Sequence, residues 1–225
     1  MSDPPARKYT VGTKARQLTL RLPTWGGRRK QAGRKPKGAR SLVSHGRREQ
    51  LRPGWAVHVT LRVRDHVWNL RSRRCFSVIE RAFAAARERF GMRLVHFSVQ
   101  GNHIHLLIET TDNQALARGM QGLTIRIAKA LNRVMRRHGP VFEDHYHSRV
   151  VRTPTEAARA LAYVLRNFAH HAAKWGRPVA ADEADPFSSA GRSGSDPPPV
   201  SEPRTWLLSG GWRRGMRPVA DARTQ

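Results

Sequence analysis

Hydrophobic and polar positions along residues 55–63 alternate in the manner of a strand. Val57, Val59, Leu61 and Val63 fall on one face and His58, Thr60 and Arg62 on the other. Residues 76–90 change period, placing Ile79, Phe83, Ala86 and Phe90 at helical spacing with Gly91 as a C-terminal cap. Residues 94–100 and 103–109 read as two strands joined by a turn at Gly101-Asn102, a hairpin that puts the second strand inside the sheet. Asp112 caps a second predicted helix that runs to Arg137 and stops at Gly139-Pro140, with Leu116, Met120, Leu123, Ile127, Leu131 and Val134 as its apolar stripe. Residues 145–152 form a fourth strand, and Pro154 and Glu156 open a third helix that reaches about residue 173. The order β-α-β-β-α-β followed by a helix is a ferredoxin-like α+β plan built on an antiparallel sheet.

Within this pattern the run Gly101-Asn102-His103-Ile104-His105-Leu106 stands out. Strand side chains alternate, so His103 and His105 emerge on one face about 7 Å apart, close enough to converge on a metal ion or a phosphate. Ile104 and Leu106 turn to the core. From spacing alone, a histidine pair of this kind is more often packed or solvated than catalytic. On the third helix Tyr163 and Asn167 are four residues apart and share a face, at about 6 Å.

Charge narrows the class of partner. The 225 residues carry 42 Lys and Arg against 16 Asp and Glu, a formal charge of +26 that calls for a polyanion, with nucleic acid the default. An RNA-binding protein has the same balance, so charge selects no chemistry. One cysteine, Cys75, cannot form an intrachain disulfide, and no stretch approaches the ~18 apolar residues of a membrane span, so a soluble protein of the cytoplasm is expected.

Three zones follow from composition. Residues 1–52 form a basic, largely disordered arm with Arg28, Arg29, Lys30, Arg34, Lys35 and Lys37 as phosphate contacts. Residues 53–175 hold a single compact domain. Residues 176–225 read as a Pro/Ser/Gly linker followed by a tail around Trp206 and Trp212, for which packing back on the domain competes with stacking on bases. On the second helix Arg126, Lys129, Arg133 and Arg137 make a basic ridge open to phosphate contact or to plain solvation.

His103-Ile104-His105 on a strand resembles the metal-binding motif of the HUH endonucleases, and Tyr163-Val164-Leu165-Arg166-Asn167, about sixty residues later, resembles the tyrosine helix of the IS200-like and REP-associated single-tyrosine transposases. The resemblance spans residues 53–173. It implies Tyr163 as the nucleophile, with His103, His105 and Asn167 holding Mg²⁺ or Mn²⁺. It also implies a single-stranded, hairpin-forming DNA partner, a homodimer, and nicking and rejoining through a 5′-phosphotyrosine. Tyr146, in His145-Tyr146-His147, is the rival nucleophile; the family order assigns the role to Tyr163. Two other readings stay open: a domesticated nucleic-acid-binding protein that no longer cleaves, and a nuclease that activates water and needs no tyrosine.

Overall fold

The computed structural model describes residues 48–174, 183–192 and 198–216, without the side chains of 167–174 and of 192. Five strands, β1 (Ala56–Arg62), β2 (Glu88–Arg89), β3 (Met92–Val99), β4 (His103–Thr110) and β5 (His147–Val151), form one antiparallel sheet in the order β2-β3-β4-β1-β5. Three main helices accompany it: α1 (Arg73–Ala86), α2 (Asn113–Val134) and α3 (Pro154–Lys174). Setting aside the two-residue β2, the order β3-β4-β1-β5 is the ferredoxin-like arrangement expected from the alternation, with α3 added after it. As predicted, β4 is internal.

The pleat divides the protein into two layers. Val57, Val59, Leu61, Ile104, Leu106 and Ile108 face α1 and α2, and form the main core with Ile79, Phe83, Leu123 and Ile127. On the other face Ala56, Val95, Leu107 and Val151 meet Ala157 and Leu161 of α3 together with Leu207 and Leu208 of the tail. His103, His105 and Glu109 share the second face with Leu107, because strand side chains alternate.

Helix ends depart from the sequence reading for local reasons. α1 begins three residues earlier than predicted, because the Ser72 hydroxyl accepts from the Cys75 amide and caps it. It ends at Ala86, four residues short: Glu88–Arg89 pairs with β3, and Phe90 (φ 56°) and Gly91 (φ 79°) make the turn between these strands, leaving Phe90 exposed. Asp112 caps α2 as expected, its carboxylate accepting from Gln114 and Ala115. That helix closes at Val134 with Arg136 in the left-handed region (φ 50°). The Arg136 amide donates to the Arg133 carbonyl and the Arg137 amide to Asn132, a Schellman closure built without glycine, so Arg137 lies beyond the helix. α3 opens with a capping box: Thr153 Oγ1 accepts from the Glu156 amide while Glu156 accepts from Thr153, with Pro154 at the first helical position.

Part of the stretch read as a linker is packed. Asp185 is buried and forms a bidentate ion pair with Arg71 at 2.9 Å, and the Ser189 hydroxyl bonds His96. The tail is anchored by Glu109, also buried, which accepts from the Arg204 amide, the Thr205 amide and the Thr205 hydroxyl and pairs with Arg93. A short helix α4 (Trp212–Gly215) then lies against the start of α3, close enough that a Cβ on Gly215 would overlap the Pro154 carbonyl. Glu109→Ala strips a buried network of its acceptor. Thermal melts should show a loss of about 3 kcal/mol, whereas a loss below 1 kcal/mol would mean that the tail contributes little to α3. Among the described residues no helix is long and apolar enough to cross a membrane.

Candidate active site

His103 and His105 arise from the first half of β4, where the strand leaves the hairpin. The tip is pinned: the Gln100 amide donates to the His103 carbonyl, Val63 to Asn102, and Leu70 to Gly101. The two imidazoles lie with ring centroids 4.7 Å apart and nearly perpendicular. His103 Nδ1 is 2.8 Å from Asn102 Oδ1, which accepts from it and leaves the ring's lone pair on Nε2. His105 is buried. Its Nδ1 is 3.1 Å from Thr60 Oγ1 and 3.3 Å from His58 Nε2, two contacts that fix the orientation of the ring.

Register explains these neighbours. Thr60 pairs with His105 across β1 and β4 and with His147 across β1 and β5, so all three side chains share the α3 face; Arg149 pairs with His58 in the same way. Burial, then the nearby His147 and Arg149, push the His58 pKa down to about 4, so the ring is neutral at neutral pH. His96, on β3, is also lowered to about 4, chiefly by burial. The sign is clear: the unfolded chain takes up protons near pH 6.5 that the folded one refuses, so stability is full above pH 6.5 and falls as the pH drops toward 4. Between pH 7 and 4.5 the loss is on the order of 2 kcal/mol per histidine, which should lower the melting temperature by about 10 °C in metal-free buffer. A flat profile would contradict the burial of both rings.

α3 brings Tyr163 to this face. Ala157, Leu161 and Val164 are buried on the sheet side, and Tyr163 stands at the helix edge, 48% exposed. Its ring lies edge-on to His105 at 5.0 Å and to His58 at 5.6 Å between centroids. Tyrosine and histidines therefore come from one chain. The α3 backbone carries Asn167 one turn further on; its side chain lies outside the described residues, as do Arg28, Arg29, Lys30, Arg34, Lys35 and Lys37 of the arm, which is described only from residue 48. Tyr146 is elsewhere: it packs on the main core, on the α1/α2 side of the sheet, under the Arg48 guanidinium at 3.8 Å, and burial raises its pKa.

His103 and His105 are two imidazole side chains on one face of β4, a pair that could contribute to a metal site. Two neighbouring imidazoles held by hydrogen bonds could suit a divalent ion, and among the described residues no group of three His, Cys, Asp or Glu gathers to close a cage. Nitrogens from His103 and His105 with an oxygen from Asn167 would leave positions for water and phosphate oxygen, as Mg²⁺ or Mn²⁺ prefers.

The basic residues divide between the two faces. Arg126, Lys129 and Arg133 are exposed on α2, whose apolar stripe packs against the sheet face opposite the histidines, and the guanidinium of Arg137 turns back to the His138 carbonyl. Beside Tyr163, instead, a cleft of about 290 Å³ is lined by His58, Arg149, Val151, Glu156, Arg159 and Ala160. Sequence reading did not single out Arg149, Arg159 or Thr60. Arg159 was findable, one helical turn before Tyr163; the other two depend on strand register.

Similarity to known proteins falls on this same region. Residues 54–167 match the family model described as "Transposase IS200 like". A solved structure of a REP-associated tyrosine transposase bound to a REP hairpin superposes with a TM-score of 0.52 at 14% identity, covering 72% of this chain and 93% of that one, a likeness of fold. A transposase candidate from Deinococcus radiodurans aligns at 13% identity with a TM-score of 0.38, over 62% of this chain and 100% of that one. No curated protein matches the chain.

Proposed function

The chain belongs to the IS200-like transposase family, and from that premise we propose that it nicks and rejoins single-stranded DNA with Tyr163 as the nucleophile. The observation that carries the reading is the approach of Tyr163, edge-on, to the His105 ring at 5.0 Å within one chain. In the forward step the phenol oxygen forms a bond to phosphorus, the P–O3′ bond breaks, and DNA is left as a 5′-phosphotyrosine and a free 3′-hydroxyl. Tyr163 is half exposed, so water can take its proton. Attack by the 3′-hydroxyl of another strand reverses the step and joins DNA.

A phenol of pKa about 10 is a weak nucleophile at neutral pH, and a phosphodiester repels anions. A divalent ion, Mg²⁺ or Mn²⁺, bound by His103, His105 and Asn167 would withdraw charge from the scissile phosphate. Asn102, Thr60 and His58 would orient the two imidazoles for such binding. Hairpin-forming single strands are the substrates to try first, since the REP-associated neighbour is bound to a REP hairpin. A homodimer would present two such sites; neither needs the other's tyrosine. Incubating the protein with labelled single-stranded and duplex DNA and Mn²⁺ tests the reading. A covalent adduct on single strands supports it. Tight binding without adduct or cleavage favours the non-cleaving binding protein.

A further inference from the structure

We propose that Arg149 and Arg159 form a phosphate-binding subsite for the linkage next to the scissile one, so that the substrate strand leaves Tyr163 toward β5. The inference rests on Tyr163 being the nucleophile. Arg159 lies one turn before Tyr163 on α3, about 6 Å along the helix axis, roughly one nucleotide step of an extended strand. Arg149 reaches the same cleft from β5, through its pairing with His58. Both arginines are exposed, and among the described residues no ion pair joins either to an acid.

The one carboxylate in the cleft is already engaged. Glu156 accepts from the Arg152 amide at 2.8 Å and from the Thr153 amide at 3.3 Å, capping α3. The Arg152 amide is the largest influence holding its carboxyl below the usual range, with the charge of Arg149 adding to it. One engaged carboxylate cannot offset two guanidinium groups, so the cleft carries net positive charge beside the nucleophile. Val151 and Ala160 give it a small apolar wall, suited to a sugar. Guanidinium forks match the phosphodiester oxygens in shape as well as charge.

The test is a salt titration of single-stranded oligonucleotide binding by fluorescence anisotropy, using the full chain and two double variants. R149Q/R159Q removes the cleft charges; R73Q/R81Q removes two exposed charges from α1, on the other face of the sheet. Losing two phosphate contacts should make the slope of log affinity against log salt shallower by about 1.4 for a single strand. Neutralising single linkages as methylphosphonates should then weaken wild-type binding at one linkage beside the cleavage point and leave R149Q/R159Q indifferent there. Equal slopes for the two double variants would overturn the subsite. Covalent adduct formation by the wild type is scored in parallel, which separates the two ideas. An adduct with unchanged slope refutes the subsite and leaves the nucleophile standing. No adduct with the slope change intact refutes the nucleophile and keeps the cleft as a phosphate contact.

Discussion

Replacing Tyr163 by Phe is expected to abolish the covalent DNA adduct and lower cleavage by at least roughly 10³-fold, because the only atom removed is the oxygen that would bond to phosphorus. Binding should barely change. The ring keeps its edge-on contacts with His105 and His58, which depend on the aromatic body and not on the hydroxyl. Tyr163 is half exposed at the helix edge, so no buried hydrogen bond is lost and the melting temperature should stay within a degree or two. The change therefore separates chemistry from folding and from affinity. Denaturing electrophoresis with labelled single strands and Mn²⁺ reads the first, anisotropy the last. Cleavage that survives in Tyr163→Phe would sink the nucleophile and point to water activated at the histidines. The same variant made at Tyr146, packed on the core and on the wrong face of the sheet, should leave the adduct intact.

What alternation alone could tell, and what it could not, is visible in β1 and β4. A period of two assigned His103 and His105 to one face, and His58, Thr60 and Arg62 to one face, with no knowledge of the fold. Which atoms then meet depends on register. Thr60 stands opposite His105 only because Val59 pairs with Leu106, and that pairing is a property of two strands and the chain between them. Arg149 enters the site for the same reason, one strand further out. Helix termini were legible where a polar side chain or proline signals them, as at Asp112 and Thr153-Pro154. They were hidden where the closure is unusual: Arg136, an ordinary L-residue, takes the left-handed position that a reader assigns to Gly139. Least legible were pairs distant in sequence. Arg71 with Asp185, and Glu109 with Thr205, turn apparent linker and tail into packed structure, and nothing in a run of Pro, Ser and Gly announces the buried acid that holds it.

The second large effect concerns His105. Substituting it by Ala or Gln should weaken Mn²⁺ binding to the protein by at least about 100-fold and remove cleavage, while Tyr163→Phe leaves Mn²⁺ binding unchanged. Two variants are needed because His105 is buried between Thr60, His58 and Tyr163. The Ala variant leaves a gap there, whereas Gln retains a polar side chain nearer in size, so agreement between them excludes collapse of the site as the cause. The surrounding residues grade the outcome. Thr60→Val and His58→Phe each remove one hydrogen-bond partner of His105 Nδ1, and should cost Mn²⁺ affinity about 10-fold, within the range for groups that orient a metal-bound imidazole. His103→Ala should match His105→Ala, since each supplies one nitrogen to the same face. Isothermal titration of each folded variant with Mn²⁺ measures the series directly. Affinities within twofold of wild type in both His105 variants would refute the histidine pair as ligands. A loss confined to cleavage, with Mn²⁺ binding intact, would give His105 a role in placing Tyr163 through the ring contact rather than in holding metal.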